Sequence, residues 1–110
     1  MRMCVWHAGK VASNFTSIAH TGITVASLGE ALAFWVDVLG FTLERRFHLD
    51  GEFAEHVTGV ESAALDAAVL TLGGQSVELL EYSSPMDRSV LRPRPCDVGS
   101  VHLLSLIHIS

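Results

Sequence analysis

The sequence predicts an α+β domain whose elements follow one another as strand, helix, strand, strand and strand. Three observations support this prediction. Apolar residues recur at three- and four-residue steps between Leu28 and Leu39, as on one face of a helix. Runs of strand-forming residues cover 18–25, 41–49, 64–72 and 75–82. Gly73-Gly74 separates the last two runs, and such a pair is typical of a tight hairpin turn.

The first strand is predicted over Ile18–Val25, a stretch rich in β-branched residues. Alternation with a period of two gives this strand an apolar face, formed by Ala19, Thr21, Ile23 and Val25. That face suits contact with the following helix, so His20 is left on the opposite, uncovered face. A polar side chain in such a position is the first candidate for a functional residue.

The helix has a start signal and a stop signal. Ser27 stands at the N-cap position and Glu30 follows three residues later, which together form an S-x-x-E capping box and predict a start near Leu28. Gly40 suits the left-handed conformation just past a helix end, so the helix is expected to stop there. Trp35 lies within the apolar stripe and is expected to pack in the core.

The second strand is predicted over 41–49, with Arg45 and the apolar Phe41, Leu43, Phe47 and Leu49 on one face and the charges of Glu44 and Arg46 facing water on the other. Residues 51–62 have mixed character and contain two glycines. They are predicted to form a loop that covers the mouth of a site built by the sheet.

Two further polar residues interrupt strand-like runs. Glu78 stands in a strand otherwise suited to burial, and His102 is flanked by apolar residues in Ser100–Leu103, a predicted strand start. Taken singly, such a histidine is more often hydrogen-bonded than a ligand, and such a glutamate is more often solvated. Together with His20, however, they make a mixed nitrogen and oxygen set that suits Zn, Ni, Co, Mn or Fe and leaves coordination positions open.

Composition excludes several classes of function. The chain has 110 residues, a net charge of -5 and 49% hydrophobic residues, which describes one globular domain at most. It has no basic surface and no apolar run near the ~20 residues that cross a bilayer, so we expect neither a nucleic-acid nor a membrane partner. Cys4 and Cys96 lie in unrelated contexts without a secretory segment, so a reduced cytoplasmic protein is expected.

Three stretches resemble one family. HTGITVASLGEALAFWVDVLGF resembles the opening of the vicinal oxygen chelate (VOC) superfamily, which includes glyoxalase I, methylmalonyl-CoA epimerase, extradiol dioxygenases and bleomycin resistance proteins. QSVELLEYSSP resembles the fourth strand of its first module, and DVGSVHL resembles the start of its second. The resemblance implies a U-shaped mixed sheet built from paired βαβββ modules, with metal ligands on the concave face. Position by position, His20 and Glu78 match the first module's ligands, and His102 matches the second module's first ligand.

The resemblance also implies a function. We expect a divalent-metal-dependent lyase, isomerase or epimerase, closest to methylmalonyl-CoA epimerase and lactoylglutathione lyase. It would act through an enolate or enediolate on a small substrate with two neighbouring oxygens. A metal-free module that sequesters a small molecule such as an antibiotic, and an extradiol dioxygenase, are the alternatives. His48, His56 and Glu81 are not expected to be ligands, because they lie on a polar side, in a loop and on the opposite strand face.

The family pattern divides the chain into segments. Residues 1–17 are expected to be a loose tail, 18–82 the first module, 83–99 a linker and 100–103 the start of a truncated second module. Leu104–Ser110, LSLIHIS, matches the in-frame translation of a common sequencing adapter, although an ordinary strand could have the same composition. We therefore expect an incomplete gene product, inactive by itself, and exclude His108 from the site. A homodimer would be needed to complete the sheet and the ligand set.

Overall fold

The computed structural model describes residues 14–106. The chain divides into two compact units, one of Thr16–Arg88 and one of Met1–Phe15 with Ser89–Ser110. Most of the expected N-terminal tail, Cys4, His108 and the end of the LSLIHIS segment lie outside the described residues.

The larger unit contains the predicted elements and one additional helix. Their bounds are β1 Thr21–Thr24, α1 Leu28–Leu32 continued by a π-helical segment Ala33–Val38, β2 Thr42–Leu49, α2 Gly51–Thr58, β3 Ala64–Leu72 and β4 Gln75–Ser84. The strands form one sheet in the order β1-β4-β3-β2. β1 pairs with β4 in parallel, and the other two pairs are antiparallel. This mixed sheet with its helices confirms the predicted α+β class.

The two faces of the sheet carry separate apolar clusters. On the α1 face the buried residues are Leu28, Ala68, Leu70, Val77 and Leu79. Ile23 and Val25 pack against this cluster, which confirms the predicted apolar face of the first strand. The opposite side, called the α2 face here, has a smaller cluster of Ala54, Ala63 and Leu65, with Leu80 and Tyr82 packed against it. The part of the α2 face outside this smaller cluster is therefore available for a functional site.

The start of α1 forms where the sequence predicts it. The hydroxyl of Ser27 accepts a hydrogen bond from the backbone N–H of Glu30 at 3.2 Å, as an N-cap does. The reciprocal bond from the Glu30 side chain back to Ser27 is not formed in the described part of the chain. Instead, the carboxylate of Glu81, on β4, accepts a hydrogen bond from the N–H of Leu28. This long-range contact ties the helix start to the sheet and satisfies one of the first N–H groups of the helix.

The second half of the predicted helix differs from an α-helix. The N–H of Leu39 bonds to the carbonyl of Phe34, five residues earlier, so the turn is wider than an α-turn. The extra residue per turn rotates the apolar stripe: Val38 is 70% exposed and Leu39 is 42% exposed. The prediction that these two residues face the core is therefore wrong. Trp35 does pack against the α1-face cluster, in a T-shaped contact with Phe41.

The predicted loop over residues 51–62 is wrong in its first part, because Gly51–Thr58 forms α2. Gly51, the first residue of α2, and Gly59, just past its last residue, have positive φ of 67° and 72°, so both glycines mark the ends of a helix. Ala54 is the fully buried residue of α2 and anchors it to the sheet. The segment does lie over the α2 face, but as a helix.

A β-bulge interrupts β2. Leu43 is opposite Leu70, but the next paired residue, Arg45, is opposite Val69, so Glu44 is an extra residue. The bulge reverses the alternation: Leu43 lies on the α1 face, whereas Arg45 and the residues two and four positions later lie on the α2 face. The prediction that Leu43 and Arg45 lie on the same face of this strand is therefore wrong.

The hairpin between β3 and β4 is confirmed, since Gly73 and Gly74 have φ of 58° and 79°. In the smaller unit, residues 100–106 are irregular, so the expected strand start at Ser100–Leu103 is not formed. A strand needs a paired neighbour, and the described part of that unit contains none.

Candidate metal centre

His20 and Glu78 meet on the α2 face. His20 directly precedes β1, and Glu78 lies within β4, where it is the register partner of Gly22. Residues two apart in an extended segment share a face, so His20 and Gly22 point to the same side of the sheet as Glu78. The His20 Nε2 atom lies 3.7 Å from Glu78 Oε2. The pairing of β1 with β4 therefore brings two of the three predicted ligands together.

The two side chains differ in exposure. The His20 side chain is 45% exposed, whereas that of Glu78 is only 15% exposed. Their separation is too long for a hydrogen bond. Neither side chain has another hydrogen-bond partner within residues 14–106. The pair thus presents one nitrogen and one oxygen donor with free lone-pair positions to the same space.

This donor pair fits a divalent cation. Imidazole nitrogens and carboxylate oxygens bind such ions at ~2.0–2.2 Å, which puts neighbouring ligand atoms ~3–3.5 Å apart. The 3.7 Å between the two atoms is close to that spacing, so a small side-chain rotation suffices. No group of three or more His, Cys, Asp or Glu side chains in the described ranges is arranged to hold a metal ion. His102 lies in the other unit, in its irregular segment, and stays a predicted third ligand.

The three residues not expected to be ligands lie elsewhere. Glu81 points to the α1 face, where it binds the start of α1. His56 is an exposed residue of α2. His48 lies on the α1 face between two carboxylates, with Nδ1 2.9 Å from Asp66 Oδ1 and Nε2 3.2 Å from Asp50 Oδ2. The hydrogen bond with Asp66 is the main reason that the pKa of His48 is raised above 6.5.

Sequence reasoning missed one charged residue on the α2 face, Arg45, which lies there beside Glu44. The β2 bulge places Arg45 opposite Val69, in the cross-strand row of Glu78. The Thr71 hydroxyl donates a hydrogen bond to Glu44 Oε1 at 2.8 Å, and the Arg45 guanidinium lies 5.3 Å from the centre of the Phe47 ring. Only the bulge reveals this placement, and regular alternation assigns Arg45 to the wrong face.

A family model described as the Glyoxalase/Bleomycin resistance protein/Dioxygenase superfamily matches residues 17–108. The chain belongs to this superfamily. A crystal structure of a glyoxalase family protein from Bacillus cereus is similar to this chain, with a TM-score of 0.65 and 28% sequence identity. The similarity covers 86% of this chain and 64% of that protein, so the chain spans less than two thirds of its length. No curated protein matches the chain significantly in sequence.

Membership of the Glyoxalase/Bleomycin resistance protein/Dioxygenase superfamily confirms the resemblance found in the sequence. Members of this superfamily commonly use divalent metals, generally bind small molecules and often form dimers. Within the described residues, no helix is both long and apolar enough to span a membrane.

Proposed function

We propose that this superfamily member is a divalent-metal-dependent lyase, isomerase or epimerase. Its substrate would be a small molecule with two neighbouring oxygens, converted through an enolate or enediolate. The observation that supports this most is the His20–Glu78 pair, whose donor atoms lie 3.7 Å apart on neighbouring segments without another partner. Family membership adds that divalent metals are common in such proteins.

His20, Glu78 and His102 are the residues proposed to hold the ion. Zn, Ni, Co, Mn and Fe all accept mixed imidazole and carboxylate ligands. When bound, the ion would supply stabilisation of the negative charge that develops on two neighbouring substrate oxygens. Three protein ligands would leave coordination positions for those oxygens.

The surrounding α2 face suits a small organic substrate. Val69, the β3 neighbour of Glu78, and Leu80, two residues along β4, are half-buried apolar side chains beside the pair. They would contact the carbon skeleton and reduce the access of water. α2, anchored through Ala54, covers the end of this face beyond Leu80. Glu78, with 15% of its side chain exposed, is held by neighbours on both sides and so would enter the complex with little loss of side-chain entropy.

A metal-free binding module is the second candidate. The observation that favours it is the lack of a third donor beside His20 and Glu78 in the described residues. Such a module would use the same apolar surface to bind a small molecule without converting it.

Metal content and titration separate the two candidates. The purified full chain would be dialysed against chelator, measured by mass spectrometry for residual metal, and titrated with Mn²⁺, Ni²⁺ and Zn²⁺ in a calorimeter. We expect one site, with affinity at least ~10-fold weaker in His20→Ala and in Glu78→Gln, since even residues that only support ligands cost that much. His56→Ala, a change on the exposed surface of α2, is the matched control and should bind as the wild type does. Equal affinity in all four proteins would refute the ligand assignment, and no binding by the wild type would favour the metal-free module.

A further inference from the structure

We propose that Arg45 contacts a carboxylate at the far end of the substrate, away from His20 and Glu78. The inference rests on the proposed function and narrows it. The substrate class becomes small molecules with two neighbouring oxygens at one end and a carboxylate a few carbon atoms away.

The sheet register places Arg45 in the same row as Glu78. Glu78 is opposite Val69, and Val69 is opposite Arg45, so the three residues cross the sheet in line. Adjacent strands lie ~4.8 Å apart, which puts the backbones of Glu78 and Arg45 ~10 Å from each other on one face. Val69, between them, offers an apolar surface for a short carbon chain. A substrate bound at His20 and Glu78 would therefore extend across Val69 toward Arg45.

The bulge in β2 is what directs Arg45 to this face. Without the extra residue, Arg45 would pair with Ala68 and point to the α1 face, as its neighbour Arg46 does. Bulges are frequent beside functional sites, where they redirect a side chain. Here the redirected side chain is a cation on a sheet face whose other polar groups include Glu44, His20 and Glu78. The Glu44 carboxylate is occupied by the Thr71 hydroxyl, two residues along β3 from Val69.

Arg45 is also free to bind an anion. None of the ion pairs in residues 14–106 involves Arg45, whereas Arg94 is paired with Asp97. Its guanidinium lies over the Phe47 ring, 5.3 Å from the centre, a contact that holds the group while leaving its N–H edges open. A planar guanidinium matches the two oxygens of a carboxylate. One such cation, in a chain with a net charge of -5, suits a singly charged carboxylate better than a doubly charged phosphate.

Two probe ligands test this assignment. 2-Oxoglutarate has two neighbouring oxygens and a distal carboxylate, and 2-oxopentanoate has the same oxygens without that carboxylate. Their dissociation constants would be measured by calorimetry on the full chain loaded with Mn²⁺. We expect the wild type to prefer 2-oxoglutarate about fivefold, the upper range for an exposed ion pair, and the preference to shrink as NaCl is added.

The matched variants are Arg45→Gln and Arg46→Gln, which remove the same charge from opposite faces of one strand. Arg45→Gln should abolish the preference and leave the affinity for 2-oxopentanoate unchanged. Arg46→Gln should keep the preference. A preference that survives in Arg45→Gln, that falls equally in both variants, or that is missing in the wild type would overturn the proposal.

A metal-free measurement distinguishes this proposal from the proposed function. Glutarate would be added to the metal-free, ¹⁵N-labelled chain while the side-chain Nε–Hε signal of Arg45, assigned with Arg45→Gln, is followed by NMR. Shifts in that signal without any metal binding in the calorimeter would refute the metalloprotein and support Arg45 as the anion contact of a binding module. Metal binding without shifts and without the 2-oxoglutarate preference would refute the role of Arg45 alone.

Discussion

Glu78 and Glu81 are three residues apart on β4 and point to opposite faces. Replacing each with glutamine should therefore change a different property: metal affinity for Glu78 and stability for Glu81. Glu81 accepts a hydrogen bond from the N–H of Leu28 at the start of α1. A hydrogen bond to a charged acceptor contributes about 1.5–3 kcal/mol to stability, whereas one between neutral groups contributes about 1 kcal/mol. Replacing the carboxylate by an amide that keeps the hydrogen bond should therefore cost about 1 kcal/mol. The carboxylate also favours the helix N-terminus by about 0.3–1 kcal/mol. Glu81→Gln should therefore lower the free energy of unfolding by about 1–2 kcal/mol and leave metal affinity unchanged.

Glu78→Gln should show the reverse pattern. Its carboxylate has no hydrogen bond in the described residues, only His20 within ion-pair distance and a side chain that is 15% exposed, so removal of its charge should not lower the free energy of unfolding. Metal affinity should fall at least ~10-fold. Urea unfolding of the metal-free proteins, followed by calorimetric metal titration, measures both quantities. Ser27→Ala, which removes the other cap of the same helix, calibrates the helix contribution at about 1 kcal/mol. If Glu81→Gln weakened metal binding as much as Glu78→Gln, the assignment of the two faces would be wrong.

Three further predictions concern the α1 face and the hairpin. Trp35→Ala should cost about 3 kcal/mol in urea unfolding, the lower end for a core aromatic because Trp35 is only half-buried, and a loss below about 1 kcal/mol would contradict its packing against Phe41. Because Asp66 raises the pKa of His48, the stabilisation by that pair is complete below pH 6.5 and is lost as the pH rises through the higher folded-state pKa. His48→Asn should thus destabilise the protein at about pH 5.5 and have no such effect at about pH 9, whereas equal losses at both would exclude an ionic contribution. Gly74→Ala forces a side chain into φ 79° and should cost about 1 kcal/mol, measured as a lower Tm, and an unchanged Tm would indicate that the turn has rearranged.

The parts of the fold that are determined by residues close together in the sequence were predictable. Ser27 caps α1 through a bond to a residue three positions away, and Gly73-Gly74 sets its turn by its own backbone angles. The strand β3 has the predicted bounds, Ala64–Leu72, because a run of strand-forming residues that ends at a glycine pair is a local signal. Local signals of this kind do not require knowledge of the partner strand.

The bulge and the widened helix were not predictable in the same way. An extra residue at Glu44 has no local sequence signal, because it depends on how β2 aligns with β3. The π-helical segment Ala33–Val38 likewise accommodates contacts with the sheet that composition does not encode. α2 does have local signals, with Asp50 at its N-cap position and Gly59 at its C-terminus, but glycines at both ends of a segment are equally typical of a loop.

For the candidate site, the alternation of side chains along each strand was enough to put His20 and Glu78 on the same side of the sheet. Their distance was not predictable, since it depends on the parallel register between β1 and β4, two strands far apart in sequence. Arg45 was missed because the bulge reverses its face. His102 stays a prediction, because its place in the smaller unit gives it no strand to fix its side chain.

The parallel pairing of β1 with β4 has a consequence for how the protein folds. The β2–β3 and β3–β4 pairs join strands that are neighbours in sequence, whereas β1 pairs with β4, the last strand of the unit. Closing that long loop has the largest entropic cost of the three pairings, and β1 is a four-residue edge strand. The donor pair is therefore assembled by the pairing step that should come last. An ion that bridges His20 and Glu78 would slow the detachment of this edge, so hydrogen exchange in β1 should report on metal binding more sensitively than exchange in β3.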